Sequence, residues 1–364
     1  MNVVYCIDSL CSSGGTERVL TTKINWLAKK NGINVAIVTL KEQEHPFFTF
    51  SEAIKVIKLE KTDSKQYKIN LSAALKVLKP DVVIAVAGMA VNVLPTLNDG
   101  SKKILEFHYT KNFLVNFVNG LHSVKFKRLH LLKMHWLQWK LSQTSKKYDA
   151  FVGLTQRDVR LWGNPKNMTY IYNPLSFRSE KKSSCESHKI IAVGSFTPAK
   201  GMDQLIHAFG AIAHKYPDWI LDIYGQGQDK EFMKSLVCKY NIDKQVNIYE
   251  PVSNISDKLI EASIYAFPSR SDGFGLVITE AMECGLPTVA FDCECGPREI
   301  VSPNTGVVVP DKDIDAFSQA LEKLITNENL RKSMGAAAVL EVRRFYCDSI
   351  MPKWIELFTK IINR

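Results

Sequence analysis

Paired cysteines and long apolar runs are both missing from this chain. Its eight cysteines are scattered, and no two of them have the Cys-x-x-Cys spacing of zinc or redox sites. This predicts free thiols in a reducing compartment. No stretch of about 18 residues is both apolar and uncharged, and the start MNVVYCIDSL lacks the basic and apolar regions of a signal peptide. We therefore expect a cytoplasmic protein without a membrane-spanning helix.

Acidic residues are outnumbered by basic ones. There are 47 lysines and arginines against 37 aspartates and glutamates, so the formal net charge is +10. A basic balance favours an anionic partner, which is nucleic acid, an acidic membrane surface or a phosphorylated small molecule, and composition does not choose among them. The hydrophobic share of 46% and the charged share of 23% are ordinary for globular proteins and exclude a disordered chain.

Two domains are expected from the length and from the order of the predicted elements. A chain of 364 residues exceeds one ordinary core, at roughly 150 residues per domain. Short β-branched runs alternate with segments of helical period, which predicts α/β architecture with parallel sheets covered by helices. The predicted strands span 3–7, 35–40, 82–86, 104–107, 151–154, 190–193, 220–224, 246–249, 264–268, 288–291 and 307–309.

A polar stretch at 176–188, preceded by Asn173-Pro174, has the composition of a linker. We therefore predict a Rossmann-like domain over 1–173 and a second one over 189–347. A final helix over 348–364 is expected to face a core and to pack back on the first domain. Two doubly wound sheets would face each other across a cleft at the carboxyl ends of their strands, where such folds bind ligands.

The segment from Asp272 to Glu280 follows a predicted strand and opens a predicted helix. Glycines in Asp272-Gly273-Phe274-Gly275 allow the backbone to turn sharply, and the amides that begin the next helix would face an anion. Asp272 and Glu280 could hold two sets of hydroxyl groups, such as those of a sugar and a ribose. On spacing alone, an acid that complements the helix dipole and a solvated glutamate would explain the pair better.

The surrounding residues resemble the nucleotide-binding signature of the family-four retaining glycosyltransferases, which have the GT-B fold. The matching segments are PSRSDGFG at 268–275, EAMECGLPTVA at 280–290 and GPREI at 296–300. The last of these resembles bacterial members of the family that assemble polysaccharides. The resemblance implies that Glu280 holds the ribose of a nucleotide diphosphate sugar. It also implies that the donor sugar is contacted by Asp272, where the family usually has glutamate, and by the backbone of Gly273, Phe274, Gly275, Leu276 and Val277.

A second match lies at 193–201, with the sequence VGSFTPAKG. A lysine can neutralise a phosphate as a compact charge, and the resemblance implies that Lys200 contacts the donor diphosphate. Without the surrounding motif, Lys200 would be taken for a solvated surface lysine. The family usually has arginine where this chain has Ser195, so we expect Ser195 to serve only as a hydroxyl donor. Lys200 and the amides at the helix start would then stabilise more of the leaving group.

Two features of the first half also match the family. The loop Ser12-Ser13-Gly14-Gly15 follows the first strand, and the resemblance implies that Gly14 and Gly15 lie beside the donor phosphate and the acceptor. As bare sequence, such glycines fit any tight turn between a strand and a helix. His108 ends a predicted strand, where a lone histidine is more often structural. The resemblance instead implies that His108 contacts the donor sugar.

The sequence says less about where the nucleotide base binds and whether a metal ion is needed. The loop from Val252 to Asn254 is expected to contact the base through its backbone, without distinguishing uracil from guanine. A metal-dependent transferase of the other common fold would need an Asp-x-Asp near a strand end. Asp311-Lys312-Asp313 has these letters but follows Pro310, so we interpret it as a solvated turn. We expect no metal and no cofactor other than the donor.

From residue 111 to residue 147 the chain has no acidic residue. Lysines and one arginine accompany Leu129, Leu132, Trp136 and Trp139, which recur at spacings of three, four and three. Such a helix would suit an anionic membrane surface. A helix packed within the first domain, with its lysines in water, explains the same pattern equally well. The basic residues are Lys111, Lys125, Lys127, Arg128, Lys133, Lys140, Lys146 and Lys147.

Together with the family resemblance, the sequence predicts a hexosyltransferase that moves a sugar from a nucleotide diphosphate sugar to a saccharide acceptor. The resemblance implies that the reaction is metal-independent and retains the anomeric configuration. The acceptor is expected to be lipid-linked, in the assembly of a surface polysaccharide such as lipopolysaccharide, at the inner face of the cell membrane. One rival is a sugar-nucleotide epimerase or hydrolase on the same fold. A basic nucleic-acid-binding protein would explain the charge but not the residues around Asp272 and Glu280, so no nucleic acid partner is expected.

Overall fold

A computed structural model describes residues 1–12, 14–41, 45–120 and 127–364. The described chain divides into two compact units. Unit 1 consists of Met1–Lys111, Lys133–Ser176 and Phe345–Arg364. Unit 2 consists of Asn112–Leu132 and Phe177–Arg344. Each unit therefore combines segments that are far apart in the sequence.

Each unit contains one parallel sheet. In unit 1 the strand order is β3-β2-β1-β4-β5-β6-β7, and in unit 2 it is β10-β9-β8-β11-β12-β13. The strands are β1 Asn2–Cys6, β2 Asn34–Leu40, β3 Lys55–Leu59, β4 Val82–Ala85, β5 Lys102–Glu106, β6 Ala150–Gly153, β7 Met168–Tyr170, β8 Lys189–Val193, β9 Ile220–Tyr224, β10 Val246–Tyr249, β11 Ile264–Phe267, β12 Thr288–Phe291 and β13 Gly306–Val309.

Helices lie between most successive strands, because parallel neighbours need a crossover connection. They are α1 Gly15–Ala28, α2 Ser64–Leu78, α3 Ala90–Val93, α4 Phe113–Gly120, α5 Lys127–Ser145, α6 Gln156–Leu161, α7 Met202–Gly210, α8 Lys230–Tyr240, α9 Ile255–Ile260, α10 Leu276–Glu283, α11 Pro297–Ile300, α12 Ile314–Ile325, α13 Glu328–Glu341 and α14 Cys347–Ile362. None of the described helices is both long and apolar enough to cross a bilayer.

The core of unit 1 lies where its central strands meet α1 and α14. Every residue of β4 is buried, as expected for a strand covered by helices on both faces. Trp354 and Phe358 of α14 pack in the same cluster as Tyr5 and Ile84. The apolar residues of α14 recur every three or four positions, so they form one face, and that face is buried in unit 1.

The core of unit 2 is built in the same way. Ile190 on β8 and Ile264 on β11 belong to a buried cluster that also contains Phe209 of α7 and Phe317 of α12. Several helix starts are fixed by side-chain caps, among them Asp313, which accepts a hydrogen bond from the amide of Ala316 at 2.9 Å.

The sequence predicted eleven strands, and all eleven are present within one or two residues at each end. The two Rossmann-like parallel sheets and the final helix are likewise confirmed. Two strands were missed, β3 and β7, which lie at the two edges of the first sheet. β3 has the sequence KVIKL and is mostly exposed, and β7 has three residues, so neither has the apolar run of a buried strand.

Candidate functional site

Lys200 and Asp272 meet at the carboxyl ends of β8 and β11 in unit 2. The Nζ atom of Lys200 lies 2.5 Å from Oδ2 of Asp272, and both side chains are largely covered. Burial alone would raise the pKa of Asp272, but the charge and hydrogen bond of Lys200 outweigh it, so this pKa is lowered. Burial likewise opposes the charge of Lys200, and Asp272 outweighs it and raises the pKa of Lys200. Both side chains are therefore ionised at neutral pH.

The second oxygen of Asp272 binds the backbone of its own loop. Oδ1 accepts hydrogen bonds from the amides of Phe274 at 3.1 Å and Gly275 at 2.9 Å. Gly275 directly precedes α10 with a φ of 93°, a conformation that glycine adopts without strain. The amides of Leu276 and Val277 open the helix, so they have no partner within it. Asp272 thus holds the turn of its own loop and is also the partner of Lys200.

Backbone contacts fix the loop of Lys200 against the loop of Asp272. The amides of Arg270 and Ser271 both donate to the carbonyl of Ala199, at 2.9 and 3.2 Å. The guanidinium of Arg270 forms two hydrogen bonds with the carboxylate of Asp203, at 2.7 and 2.5 Å. A Cβ atom on Gly201 would lie 2.1 Å from the carbonyl oxygen of Pro268. The ion pair is therefore held by a rigid frame of two loops.

Glu280 lies on the second turn of α10 and is completely buried. It therefore cannot be a solvated helix glutamate, which was the alternative explanation of the sequence pair. Tyr265 on β11 lies close to Glu280. Burial raises the pKa of Tyr265 well above its ordinary value, and the nearby carboxylates of Glu280 and Asp272 raise it further. Glutamate side chains are seldom fully buried, so this position favours a specific contact over a solvated one.

In unit 1, His108 lies just beyond the carboxyl end of β5. Its Nε2 atom is fully buried and lies 2.8 Å from Oε1 of Glu106, close to this carboxylate but without the alignment of a regular hydrogen bond. The same carboxylate oxygen pairs with Nζ of Lys23 at 2.5 Å. The two predicted glycines lie in the same unit: Gly14 directly precedes α1, and Gly15 is its first residue. The amide of Gly14 donates to Oγ of Ser12 at 3.0 Å. Ser13 lies outside the described residues.

The family model for glycosyl transferases group 1 matches residues 176–340. A glycosyltransferase of Haemophilus influenzae is 30% identical over 369 residues, covering 96% of this chain and 98% of the relative. This chain belongs to the group 1 glycosyltransferases. The amylovoran biosynthesis glycosyltransferase AmsD of Erwinia amylovora is 26% identical, covering 98% of this chain and 99% of that protein.

Solved structures agree on the fold of this glycosyltransferase. HepE of Anabaena in complex with UDP-glucose has a TM-score of 0.78 and 15% sequence identity, covering 99% of this chain and 100% of that chain. At that identity the likeness concerns the fold alone. The predicted family and the GT-B fold are both confirmed.

The predicted site residues of the glycosyltransferase fall into two groups. Unit 2 contains Lys200, Ser195, Glu280 and the segment 272–277, whereas unit 1 contains Gly14, Gly15 and His108. Ser195 is exposed, and its Oγ lies 3.3 Å from Oγ1 of Thr197. Asp311-Lys312-Asp313 forms an exposed turn, as predicted. Within the described ranges, no group of three histidine, cysteine or acidic side chains could hold a metal ion.

The loop predicted to contact the base borders a cavity. Val252 lines this cavity of about 420 Å³ together with Tyr249, Lys258 and Glu261. Asn254 is not among the lining residues, and its side-chain amide donates to Oδ2 of Asp257 at 2.5 Å. Val252 of the glycosyltransferase thus borders free space, whereas the side-chain amide of Asn254 is engaged in a hydrogen bond within the protein.

Sequence reasoning missed two parts of the site. Gly225-Gln226-Gly227 follows β9 and packs on the loop of Ser195: a Cβ on Gly225 would lie 1.9 Å from the carbonyl oxygen of Gly194. A Gly-x-Gly directly after a predicted strand was a usable signal. The second part is Glu294, which accepts hydrogen bonds from Asn112 at 2.5 Å and Asn116 at 3.0 Å. These residues are some 180 positions apart, and no local pattern links them.

Proposed function

We propose that this protein transfers a glycosyl group from a nucleoside diphosphate sugar to a saccharide in the assembly of a surface polysaccharide, and that it retains the anomeric configuration. The observation that supports this most is the fixed cluster of Lys200, Asp272 and the start of α10 at the carboxyl ends of β8 and β11. A cation and a helix start suit a diphosphate leaving group. The relative AmsD is named for amylovoran biosynthesis, and HepE was solved with UDP-glucose.

In this proposal Lys200 and the amides of Leu276 and Val277 stabilise the charge that develops on the departing diphosphate. Asp272 accepts a hydrogen bond from a hydroxyl group of the donor sugar. A carboxylate offers about four acceptor positions, and Lys200, Phe274 and Gly275 occupy three of them here, so one remains for the sugar. Glu280 binds the ribose. The leaving phosphate assists attack on the same face of the sugar, so the protein acts mainly by positioning.

From unit 1, Gly14 and Gly15 are proposed to approach the donor phosphate and the acceptor, and His108 is proposed to contact the donor sugar. No metal ion is proposed to take part, since Lys200 and helix amides supply the positive charge. Transfer should therefore be unchanged by EDTA, measured as release of nucleoside diphosphate. A loss of turnover that added Mg²⁺ restores would contradict this part of the proposal.

Transfer itself is tested by screening nucleoside diphosphate sugars by thermal shift, then assaying the stabilising donors with saccharide acceptors. Lys200→Ala should lower turnover by about 10²–10³-fold, because one preorganised donor to the leaving group is lost. Glu280→Gln should mainly raise KM for the donor. The control is Lys234→Ala, which removes a surface lysine paired with Glu231 and should leave turnover unchanged. Proton NMR of the product reports the anomeric configuration.

Two results would contradict the proposed transfer. Hydrolysis or epimerisation of the donor at full rate without an acceptor would identify an epimerase or hydrolase instead. Normal turnover in folded Lys200→Ala protein would show that the cluster is not the donor site.

We also propose that α5 contacts an anionic membrane, which would bring the enzyme to a lipid-linked acceptor. Its apolar stripe faces solvent: Leu129, Leu132, Trp136 and Trp139 are 54–66% exposed. Lys133 and Lys140 are exposed on the same helix, and Nζ of Lys140 lies 5.5 Å from the Trp136 ring centre. The alternative in which this stripe packs inside unit 1 does not fit this exposure. Lys125 lies outside the described residues.

Flotation with liposomes tests the membrane contact. Wild-type protein should float with vesicles that contain an anionic lipid and not with neutral vesicles, because aromatic burial and lysine attraction act together. Trp136→Ser/Trp139→Ser and Lys133→Glu/Lys140→Glu should each reduce flotation at least tenfold. Phe232→Ser/Lys234→Glu changes an exposed phenylalanine and lysine on α8 and is the matched control. Equal flotation of all variants would contradict the proposal.

A further inference from the structure

Three charged or polar side chains form a buried cluster in unit 1. Oε1 of Glu106 lies 2.5 Å from Nζ of Lys23 and 2.8 Å from Nε2 of His108. The side chains of Lys23 and Glu106 are each 1% exposed, and that of His108 is 3% exposed. They come from α1, from the end of β5, and from the residue two positions beyond β5. The cluster therefore links the interior of the unit to the carboxyl edge of its sheet.

Burial of this cluster makes its charges interdependent. Nζ of Lys23 lies 3.6 Å from the centre of the Trp354 ring and 5.7 Å from that of Tyr5, so aromatic faces surround it. Burial opposes the charge of Glu106, but Lys23 and His108 outweigh it and lower the pKa of Glu106 to about 2. Burial lowers the pKa of Lys23. Glu106 is thus an anion that Lys23 neutralises, and it faces the imidazole of His108.

We infer that Glu106, held by Lys23, is the positioning residue of His108: its carboxylate faces Nε2 at 2.8 Å, keeps the proton of a neutral ring on that nitrogen, and so fixes which ring nitrogen is free to meet a substrate. The inference rests on the proposed function, in which His108 contacts the donor sugar. Lys23 and Glu106 are both buried and act through His108 in this inference.

The two nitrogens of the imidazole ring of His108 have different roles. A neutral histidine carries one N–H and one acceptor nitrogen, and the partner of one nitrogen decides the state of the other. Nε2 is fully buried against a carboxylate, which accepts and does not donate. The proton of a neutral ring therefore resides on Nε2, and Nδ1 presents a lone pair. A sugar hydroxyl can donate to that lone pair, which orients the hydroxyl in a way that a lysine or arginine cannot.

The ion pair with Lys23 explains why this arrangement is stable. An uncompensated carboxylate at this depth would be costly, whereas a paired one leaves the cluster without net charge when His108 is neutral. The cluster can therefore hold the ring in one orientation without leaving an unpaired carboxylate in the interior.

The test compares two variants that both lack the ion pair. Lys23→Met/Glu106→Gln keeps a side-chain oxygen facing His108, while Lys23→Met/Glu106→Leu removes it. Methionine retains the length of Lys23 and tolerates the ring of Trp354. Replacing both charges avoids an orphan buried ion, so both variants should fold. Thermal melts and near-ultraviolet circular dichroism confirm this before other measurements.

Two readouts are taken on full-length protein labelled with ¹⁵N-histidine. Long-range ¹H–¹⁵N NMR without substrate should show the Nε2–H form of His108 in wild type and in the Gln variant, and a mixture of both tautomers in the Leu variant. Turnover should stay within about threefold in the Gln variant and fall at least tenfold in the Leu variant. In a His108→Phe background the Gln and Leu variants should have equal turnover, since Glu106 acts through His108.

Each outcome decides a separate claim. An Nδ1–H form in wild type, or an unchanged tautomer in the Leu variant, would overturn the positioning role of Glu106. Full turnover in the Leu variant together with a released tautomer would refute the role of His108 in transfer while Glu106 remains its positioning residue. Absence of any sugar transfer by wild-type protein would refute the proposed function, and the NMR result would still stand.

Discussion

Individual buried charges set how unit 1 responds to pH. Glu106 has a pKa of about 2 in the folded protein against an ordinary value of 4.5, because Lys23 and His108 outweigh the opposing effect of burial. A carboxyl group with a lowered folded pKa binds its proton more weakly than in the unfolded chain. It therefore contributes stability above about pH 4.5, and this contribution is lost as the pH falls toward 2.

The neutral variant Lys23→Met/Glu106→Gln should accordingly lose less stability in acid than wild type. We expect the difference in free energy of unfolding between the two proteins to shift in favour of the variant from pH 4.5 to 2, measured by urea denaturation at a series of pH values. The control Lys41→Met/Glu60→Gln removes a pair whose side chains are 62% and 67% exposed, and should follow wild type at every pH. Parallel curves for the buried variant and wild type would contradict this.

Single residues also show how far the sequence predicts the site. Lys200 and Glu280 could be predicted as site residues because each stands in an ordered motif, and such a motif specifies the local turn and helix start that place the side chain. The sequence did not reveal that Asp272 would bind Lys200 and cap its own loop, because that depends on how two distant loops dock. Glu106 escaped notice for the same reason: its partners lie 83 positions before it and two after it.

At the scale of elements, glycines decide whether the loops of the donor site can approach each other. Gly201 has a φ of 64°, and a Cβ atom there would lie 2.1 Å from the carbonyl oxygen of Pro268. Gly32 has a φ of 79° but no atom within 4 Å of the same position. Alanine costs roughly 1–2 kcal/mol at either position through the left-handed backbone alone. Only at Gly201 must the backbone of another loop also move.

Gly201→Ala should therefore destabilise unit 2 by more than Gly32→Ala destabilises unit 1. It should also lower turnover, since the loop that carries Lys200 would shift away from Asp272. Urea unfolding followed by hydrogen exchange in peptides of each unit measures the first effect, and the transfer assay measures the second. Equal costs at both positions would show that the loops of Gly201 and Pro268 are not tightly docked.

The helices and strands that the sequence predicted are those whose burial produces a recognisable pattern of apolar residues. Central strands such as β4 and β11 are buried on both faces, so they read as continuous apolar runs. The edge strand β3 pairs with β2 through its backbone, over Lys55 to Leu59, and this pairing requires no apolar run. Its letters KVIKL suit the exposed edge of a sheet, where lysine discourages further strand pairing. Backbone pairing of this kind cannot be read from side-chain pattern.

For the whole molecule, the first unit is built from segments that do not follow one another in the sequence. Unit 1 is completed by Phe345–Arg364, which follows all of unit 2 in the sequence. The apolar face of α14 could be read from its spacing, but spacing alone does not say which core it joins. In the structure Trp354 is 1% exposed and packs against the charged cluster of Lys23 and Glu106 through the ammonium group of Lys23. The last helix thus supports both the core and the polar cluster of unit 1.

Trp354→Ala should therefore destabilise unit 1 by about 3–5 kcal/mol, because it removes a large buried ring and leaves a cavity beside a buried ammonium group. Hydrogen exchange followed by mass spectrometry should show faster exchange in peptides of β1, β4 and β5, while peptides of β8, β9 and β11 keep their protection. The matched control is Leu340→Ala on α13, which truncates a side chain that is 61% exposed and should change neither set. Loss of protection in both sheets at once would instead mean that the two units unfold as a single cooperative body, and uniform protection would mean that α14 adds little to the first core.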